Sequence, residues 1–368
     1  MKIVYHGYYG ARNSGDDAFV EVASWGAEKF WDGREHLFYA SELPVLYRTG
    51  VRYLAPHKNY FTFTQALYEL YKSDLFISAG GSTFHSSLSK TDLRLYAKMK
   101  KRFFPKGKAG AIGISLGPYR NSQAEKDTIA YLKQLDFLTL RDQYSYELAN
   151  SYDLPYQPVN AFDLAALLPE IYPVKILPAP AERQKIVGIS VCNYESYVGG
   201  DELQEEKRNL FVYELIKRLQ ANPAIKFRFF VFNGNPQVGD AKLTYQFINS
   251  FVAGKQIDYD IIPYQANVKS TFNYISECDL MIAIRLHAAI FACFAQVPFL
   301  LLEYHRKCSD FLDDVGQDKK YRVYDADRNV EEVLDEVHQI LFNRSYISPS
   351  SLNEVKEKAL RNFLNVQV

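Results

Sequence analysis

Short apolar runs alternate with longer amphipathic segments along the whole chain. The runs are rich in β-branched and aromatic residues, and they lie at Lys2–Tyr5, Leu37–Tyr39, Asp74–Ser78, Ala109–Ile114 and Phe137–Leu140, then at Lys185–Val191, Phe227–Phe232, Tyr259–Ile262, Leu280–Ile284 and Pro298–Leu302. Segments of helix length separate them, such as the one near residues 205–220. This alternation is typical of βαβ units with a largely parallel sheet.

Closely spaced prolines interrupt the alternation between Asp163 and Gln184, and we place a linker there. The 368 residues also exceed the roughly 250–300 at which one hydrophobic core stops growing. We therefore predict an α/β protein with two Rossmann-like, doubly wound domains that face a cleft, at residues 1–170 and 183–345. Residues 349–368 are predicted to form a helix that crosses back to the first domain. Ligands bind beyond the carboxyl ends of the strands in such sheets, so functional side chains should follow strands.

Charge and composition narrow the classes of partner. Lys+Arg and Asp+Glu each number 43, so the formal net charge is zero and no overall field would hold nucleic acid. Hydrophobic residues make up 48% of the chain, as in ordinary globular proteins. We therefore expect a folded protein that does not bind nucleic acid.

The sequence also favours a cytoplasmic location. The N-terminus passes directly into a strand-like run without the features of a signal peptide, and no apolar stretch reaches the ~18 residues of a transmembrane segment. The cysteines are widely spaced and lack any CxxC pairing, so we expect buried free thiols rather than disulfides or zinc ligands; they are Cys192, Cys278, Cys293 and Cys308. No metal cluster is visible. Peripheral attachment at the inner face of the membrane stays open if the protein acts on a lipid-linked molecule.

The first candidate motif is the glycine-rich segment from Gly7 to Ala18, where the first strand should turn into a helix. Its spacing matches neither a dinucleotide fingerprint nor a P-loop. Polar residues here could bind an acceptor, and they are Tyr8, Asn13, Asp16 and Asp17. The alternative is that the two aspartates only cap the helix.

A second glycine motif follows the strand centred on Phe76. Paired glycines before hydroxyl side chains suit a tight strand-to-helix turn that could line the cleft, and the candidates are Gly80, Gly81, Ser82 and His85. For His85 the alternative is a surface or capping histidine.

Three cationic motifs also follow predicted strands. Arg141 is placed to capture a carboxylate or phosphate in bidentate fashion, or else to form a structural ion pair. Arg285 and His287 emerge after a strand so apolar that it should be central. If the segment is extended, alternation puts both side chains on one face. After the next strand, Arg306 and Lys307 would add positive charge, or belong to a solvated loop.

Together these motifs resemble the polysaccharide pyruvyl transferase family. The family begins with a Gly-Tyr-Tyr-Gly-x-x-Asn-x-Gly-Asp-like segment, matched at Gly7 to Asp16, and carries a late Arg-Leu-His element, matched at Arg285 to His287. The Gly80-Gly81-Ser82 turn, residues 113–118, Leu140-Arg141-Asp142 and Val297-Pro298 follow the family's order, so the resemblance spans roughly residues 1–310.

The resemblance implies a GT-B-like fold and a reaction. The donor is phosphoenolpyruvate as co-substrate, without a cofactor, and its pyruvyl group passes to a sugar diol of a cell-surface or exopolysaccharide precursor as a cyclic ketal. The resemblance gives His287 the catalytic role, and it makes Arg141 and either Arg306 or Lys307 donor ligands. Arg285 would support them, because the other cations already supply two charges.

The chemistry of the residues leaves several points open. His287 could protonate the enol carbon or assist the leaving phosphate. The acceptor could be a sugar, an oligosaccharide or a lipid-linked glycan, and its linkage position and the oligomeric state are not encoded in any motif. Alternatives for the whole chain are a nucleotide-sugar glycosyltransferase of GT-B type and an inactive glycan-assembly scaffold.

Overall fold

The computed structural model describes residues 1–46, 48–56, 60–90, 92–103, 107–174, 183–252 and 257–368. The chain forms two compact units. The N-terminal unit comprises Met1–Ala11, Asp16–Ile171 and Asn353–Val368. The C-terminal unit comprises Arg12–Gly15 and Tyr172–Leu352.

Residues 12–15, which the sequence places in the first domain, thus belong to the C-terminal unit. Backbone hydrogen bonds explain this difference, because the amide of Ser14 donates to the carbonyl of Phe232 over 3.0 Å and the amide of Gly234 donates to the carbonyl of Arg12 over 2.8 Å. Such long-range pairing leaves no signal in local hydrophobic periodicity.

The described part of the N-terminal unit contains a seven-stranded parallel sheet in the order β3-β2-β1-β4-β5-β6-β7. Its first six strands have the Rossmann order. The strands are β1 Lys2–His6, β2 Glu35–Tyr39, β3 Val51–Leu54, β4 Leu75–Phe84, β5 Lys108–Leu116, β6 Phe137–Leu140 and β7 Val159–Asn160. The helices are α1 Ser14–Trp31, α2 Tyr60–Lys72, α3 Leu93–Phe103, α4 Ser122–Leu132, α5 Gln143–Asn150 and α6 Leu168–Ile171, with a 3₁₀ turn at Leu164–Leu167.

The described part of the C-terminal unit contains a six-stranded parallel sheet in the order β10-β9-β8-β11-β12-β13, the complete Rossmann order. Its strands are β8 Lys185–Ser190, β9 Ile225–Phe230, β10 Tyr259–Ile262, β11 Leu280–Ala283, β12 Phe299–Glu303 and β13 Arg322–Tyr324. Its helices are α7 Tyr194–Val198, α8 Glu202–Leu219, α9 Ala241–Val252, α10 Val268–Ser276, α11 Leu286–Phe294, α12 Arg306–Val315 and α13 Val330–Asn343, with a 3₁₀ turn at Lys319–Tyr321. The predicted doubly wound α/β architecture is confirmed.

The last helix, α14 Leu352–Leu364, packs from Asn353 onward within the N-terminal unit. The indole Nε1 of Trp31 donates to the carbonyl of Phe363 over 2.9 Å, and Asn362 Nδ2 donates to the carbonyl of Phe162 over 2.9 Å. A Cβ added at Gly26 would lie 2.2 Å from the Phe363 ring, so α1 needs a glycine there to admit it.

The second glycine motif differs from its predicted form. Gly80 and Gly81 lie inside β4, not in a turn, and have φ values of 72° and 73°. The pairing with β5 shifts register between Gly81 and Phe84. A Cβ at Gly80 would lie 2.4 Å from the Phe19 ring of α1. The glycines therefore allow an irregular strand and the close approach of a helix. A pair of glycines in the sequence does not distinguish these two requirements from those of a tight turn.

The predicted buried free thiols are confirmed, because all four cysteines are buried and unbridged. Within the part of the chain that the structure describes, none of the helices combines the length and apolar composition that crossing a bilayer requires.

Candidate active site

The candidate site of the C-terminal unit lies where the strand order of its sheet reverses. The two strands at the reversal, β8 and β11, pair in parallel, and β12 pairs with the other side of β11. Their carboxyl ends therefore share one edge of the sheet. Cys192 follows β8, Arg285 follows β11 and Tyr304 follows β12. Ligands of doubly wound sheets bind at such a reversal.

Arg285 is held by a buried carboxylate. Its Nε lies 3.1 and 3.0 Å from the two carboxylate oxygens of Asp240, and its Nη2 lies 2.5 Å from Oδ1. Burial alone would lower the pKa of the guanidinium, but Cys192 and Asp240 outweigh burial and raise it. Arg285 is therefore permanently charged, and its charge is balanced by Asp240.

His287 lies in the first turn of α11, against the N-terminal end of α1. A Cβ added at Gly15 would lie 2.2 Å from His287 Nδ1 and 2.4 Å from Cγ. Only a glycine leaves room for this imidazole. The Arg-Leu-His element and residues 12–15 of the glycine-rich motif, far apart in sequence, thus meet within the C-terminal unit.

A polar network fixes both motifs to the segment after β9. Asn13 Oδ1 accepts a hydrogen bond from the amide of Gly15 over 3.0 Å, as an N-cap of α1. Asn13 also pairs with Asn233 in an isolated antiparallel bridge. The amide of Asn233 in turn donates to Asp240 Oδ2 over 2.9 Å. One hydrogen-bond network therefore holds both Asp240, which binds Arg285, and Gly15, against which His287 packs.

The N-terminus of α12 adds positive potential at the same sheet edge. His305 is its N-cap and accepts a hydrogen bond at Nδ1 from the amide of Lys307 over 3.1 Å. Arg306 and Lys307 are in the first turn, and Arg306 Nε lies 3.2 Å from Asp310 Oδ2. A helix N-terminus with nearby cations favours anions. Because α11 also begins at this edge, with Arg285 as its N-cap, two helix N-termini lie at the same edge of the sheet.

A buried cation that the sequence analysis missed supports this edge. Arg208 of α8 is 1% exposed, pairs with Glu195 and with Asp325 at 2.9 Å, and lies 5.3 Å from the centre of the Tyr304 ring. The sequence could have indicated Arg208, because it lies three and four residues before Phe211 and Val212 and therefore on the apolar face of α8.

The comparisons with known proteins identify the family. The sequence profile described as polysaccharide pyruvyl transferase matches residues 13–306, most of the chain. The chain belongs to the polysaccharide pyruvyl transferase family. No curated protein matches the sequence of this family member.

Solved structures show the fold of this pyruvyl transferase family member. UDP-GlcNAc 2-epimerase from Methanocaldococcus jannaschii is 12% identical with a TM-score of 0.58, over 97% of each chain. UDP-GlcNAc 2-epimerase from Neisseria meningitidis, bound to UDP-GlcNAc, is 13% identical with a TM-score of 0.56, over 99% of this chain and 100% of that one. At such identities the likeness concerns the fold alone, and the predicted GT-B-like class is confirmed.

Arg141, the donor ligand expected from the family, lies in the N-terminal unit after β6. Its Nε donates to Ser115 Oγ over 2.6 Å, and its Nη1 lies 2.9 Å from Asp163 Oδ2. Asp142 N-caps α5, because its Oδ1 accepts a hydrogen bond from the amide of Ser145 over 2.8 Å. The side chain of Arg141 is thus fixed by two partners, and its donor contact stays a prediction.

The residues predicted to bind the acceptor fall into separate groups. Tyr8 OH lies 3.2 Å from His85 Nδ1, which also lies 3.0 Å from the carbonyl of Ser82. Asp16 and Asp17 occupy the first turn of α1, and a Cβ at Gly81 would lie 3.9 Å from Asp16 Oδ1. Asn13 belongs to the C-terminal unit and therefore lies with His287 instead.

The prediction that alternation along an extended segment places Arg285 and His287 on one face was wrong. Alternation applies to an extended segment, but α11 begins at Leu286, directly after Arg285 in its N-cap position. Helix geometry then sets the direction of His287, and Asp240 sets that of Arg285.

Proposed function

We propose that this protein transfers the pyruvyl group of phosphoenolpyruvate to two hydroxyls of a sugar in a polysaccharide or its precursor, with His287 as the catalytic residue. The observation that carries the proposal is the contact of His287 with Gly15, because it joins the two motifs by which the family resemblance is recognised. The donor side is assigned to the C-terminal unit and the acceptor side to the N-terminal unit.

The donor's charges match the groups at the carboxyl edge of the C-terminal sheet. Phosphoenolpyruvate carries a phosphate and a carboxylate. The first turn of α12 offers Arg306 and Lys307 near backbone amides, which suits a phosphate. Arg306 also pairs with an acid, Asp310, but its side chain is 34% exposed whereas that of Arg285 is 16% exposed and its partner Asp240 is buried. We therefore assign Arg285 the role of a positioning residue rather than of the main counter-charge.

The reaction follows from the chemistry of an enol phosphate. A proton adds to the methylene carbon, and the adjacent carbon becomes an oxocarbenium-like centre. One sugar hydroxyl attacks this centre and loses its proton, and the second hydroxyl then displaces phosphate and closes the ketal. One phosphoenolpyruvate and one diol give one ketal and one phosphate, without gain or loss of water. His287 supplies the first proton or assists the leaving phosphate.

Phosphate release tests the proposal. The protein is incubated with phosphoenolpyruvate and a panel of neutral and acidic glycans, and we expect phosphate release that depends on the acceptor. His287→Ala should lower kcat about 10²-fold or more. Phosphate release that is absent for every acceptor would count against pyruvyl transfer, and full activity of the variant would exclude the role of His287.

Thermal unfolding separates this proposal from a nucleotide-sugar glycosyltransferase. A ligand at about 100 times its Kd adds about 2.7 kcal/mol of stability. We expect Tm to rise with phosphoenolpyruvate and to be unchanged by UDP, GDP or CMP. The reverse pattern would favour the glycosyltransferase.

A further inference from the structure

The N-terminal unit contains a cavity of about 450 Å³ at its own strand-order reversal. The sheet reverses between β1 and β4, and the cavity is lined by His6 at the end of β1 and Thr83 near the end of β4. The charged lining residues of the described chain are Asp92 and Arg94, which the sequence analysis did not single out. The position is the one at which doubly wound sheets bind ligands.

The charges in this cavity cancel. Arg94 is 5% exposed, its Nη2 lies 2.6 Å from Asp92 Oδ2, and its Nη1 donates to the carbonyl of Thr83 over 2.9 Å. Burial, with a smaller effect of Arg94, lowers the pKa of His6 to about 4, so its imidazole is neutral at pH 7. One acid and one base in direct contact leave a cavity without net charge.

Two of the side chains that line this cavity carry polar atoms without a hydrogen-bond partner in the described chain. In the part of the chain that the structure describes, His6 Nδ1 and Thr83 Oγ1 are buried and have no hydrogen-bond partner. The His6 ring is held parallel to that of Tyr39, with centroids 6.1 Å apart and planes 15° apart. Buried polar atoms normally have hydrogen-bond partners, and a ligand rich in hydroxyl groups could supply them to these two atoms.

We propose that this cavity binds an uncharged sugar ring, with Asp92 as the residue that determines specificity. Its role as the acceptor site rests on the proposed pyruvyl transfer, whereas the binding itself does not. A carboxylate has about four lone-pair positions. Arg94 brings three N–H donors to it: its amide donates to Oδ1 over 2.9 Å, its Nε is shared between Oδ1 at 3.0 Å and Oδ2 at 3.2 Å, and its Nη2 donates to Oδ2 over 2.6 Å. Three donors leave about one lone-pair position of the carboxylate, which can accept a hydrogen bond from a sugar hydroxyl.

The same arrangement rejects acidic sugars. A uronic acid would bring a second carboxylate near Asp92, and the guanidinium of Arg94 is already engaged by Asp92 and by the Thr83 carbonyl. Neutral and acidic sugars of equal shape should therefore bind differently.

Saturation-transfer NMR without phosphoenolpyruvate tests the inference on the full chain. The probes are the methyl glycosides of glucose, galactose and mannose, with those of glucuronate and galacturonate as acidic counterparts. Asp92→Asn removes the negative charge, and Thr83→Val removes only the buried hydroxyl while keeping the β-branched shape. Asp32→Asn is the matched control, because it makes the same chemical change on a side chain that is 74% exposed.

We expect the wild type and Asp32→Asn to bind at least one neutral glycoside and neither uronate. Thr83→Val should weaken neutral binding about fivefold, the effect of one hydrogen bond, without loss of Tm. Asp92→Asn leaves Arg94 uncompensated and should shift preference toward uronates. The inference would be overturned if Thr83→Val and Asp92→Asn bound neutral glycosides as tightly as the wild type, or if the wild type bound only uronates. Because the binding experiment contains no donor, its result does not depend on whether the protein transfers a pyruvyl group. If the protein transfers the pyruvyl group but lacks this binding pattern, only the inference about the cavity is wrong.

Discussion

Replacement of Gly15 by alanine should disable catalysis while preserving the fold. The new Cβ would stand 2.2 Å from His287 Nδ1, whereas ordinary contacts begin at 3.4 Å. The imidazole must therefore move by about 1.2 Å. A displacement of about 1 Å can lower the rate of a positioned catalytic group about 10²-fold.

Stability should respond in a different way. Alanine is a better helix former than glycine by up to about 1 kcal/mol, and Gly15 is the second residue of α1. This gain offsets part of the strain around His287. We expect Tm to change by a few degrees at most while kcat for phosphate release from phosphoenolpyruvate falls about 10²-fold.

A double-mutant cycle provides the control. If Gly15 acts only by making room for His287, Gly15→Ala should have almost no further effect on kcat in a His287→Ala background. The rates are measured with an acceptor that the wild type uses. Multiplicative losses in the double variant, or a Gly15→Ala enzyme within about threefold of the wild-type rate, would refute the reasoning.

Three further predictions concern stability. Asp240→Asn should lower the free energy of unfolding by about 3 kcal/mol, because Arg285 is left as a buried charge without its counter-ion; an unchanged denaturation midpoint would contradict the pairing. Phe363→Ala should cost about 3 kcal/mol in urea denaturation, since the ring is 2% exposed, whereas Leu364→Ala, at 59% exposed, should stay within about 0.5 kcal/mol. Burial, as the largest cause, lowers the pKa of His36 from 6.5 to about 4, so only the unfolded chain takes up this proton as pH falls from 6.5 toward 4. His36 should therefore contribute about 3 kcal/mol to the loss of stability over this range, beside a similar contribution from His6, and His36→Gln should remove only its own share; equal slopes in both proteins would exclude His36 as a source.

The sequence was most informative where local pattern decides structure. Apolar runs such as residues 280–284 and 298–302 coincide with β11 and β12, because fully buried parallel strands need continuous apolar sequence. Helix starts were equally readable, since Asp142 caps α5 through an ordinary side-chain hydrogen bond. These features depend on neighbours along the chain.

Contacts between distant segments could not be read in this way. Nothing local indicates that Gly15 lies against His287, or that Asp240 balances Arg285, because each pair is joined only when the sheet of the C-terminal unit is complete. The same holds for the cavity formed around His6 and Arg94. The role of the glycines was ambiguous for another reason. Gly80 provides a positive φ and room for a neighbouring helix, and a tight turn would require glycine for the same reasons.

Mass spectrometry of the acceptor tests the central claim most directly. The protein is incubated with phosphoenolpyruvate labelled with ¹³C in the pyruvyl carbons and with each glycan of the neutral and acidic panel. The account predicts an acceptor heavier by one labelled pyruvate less one water, formed in equal amount to free phosphate and lost in His287→Ala. Phosphate accompanied only by free labelled pyruvate, or acceptors unchanged across the whole panel, would contradict pyruvyl transfer.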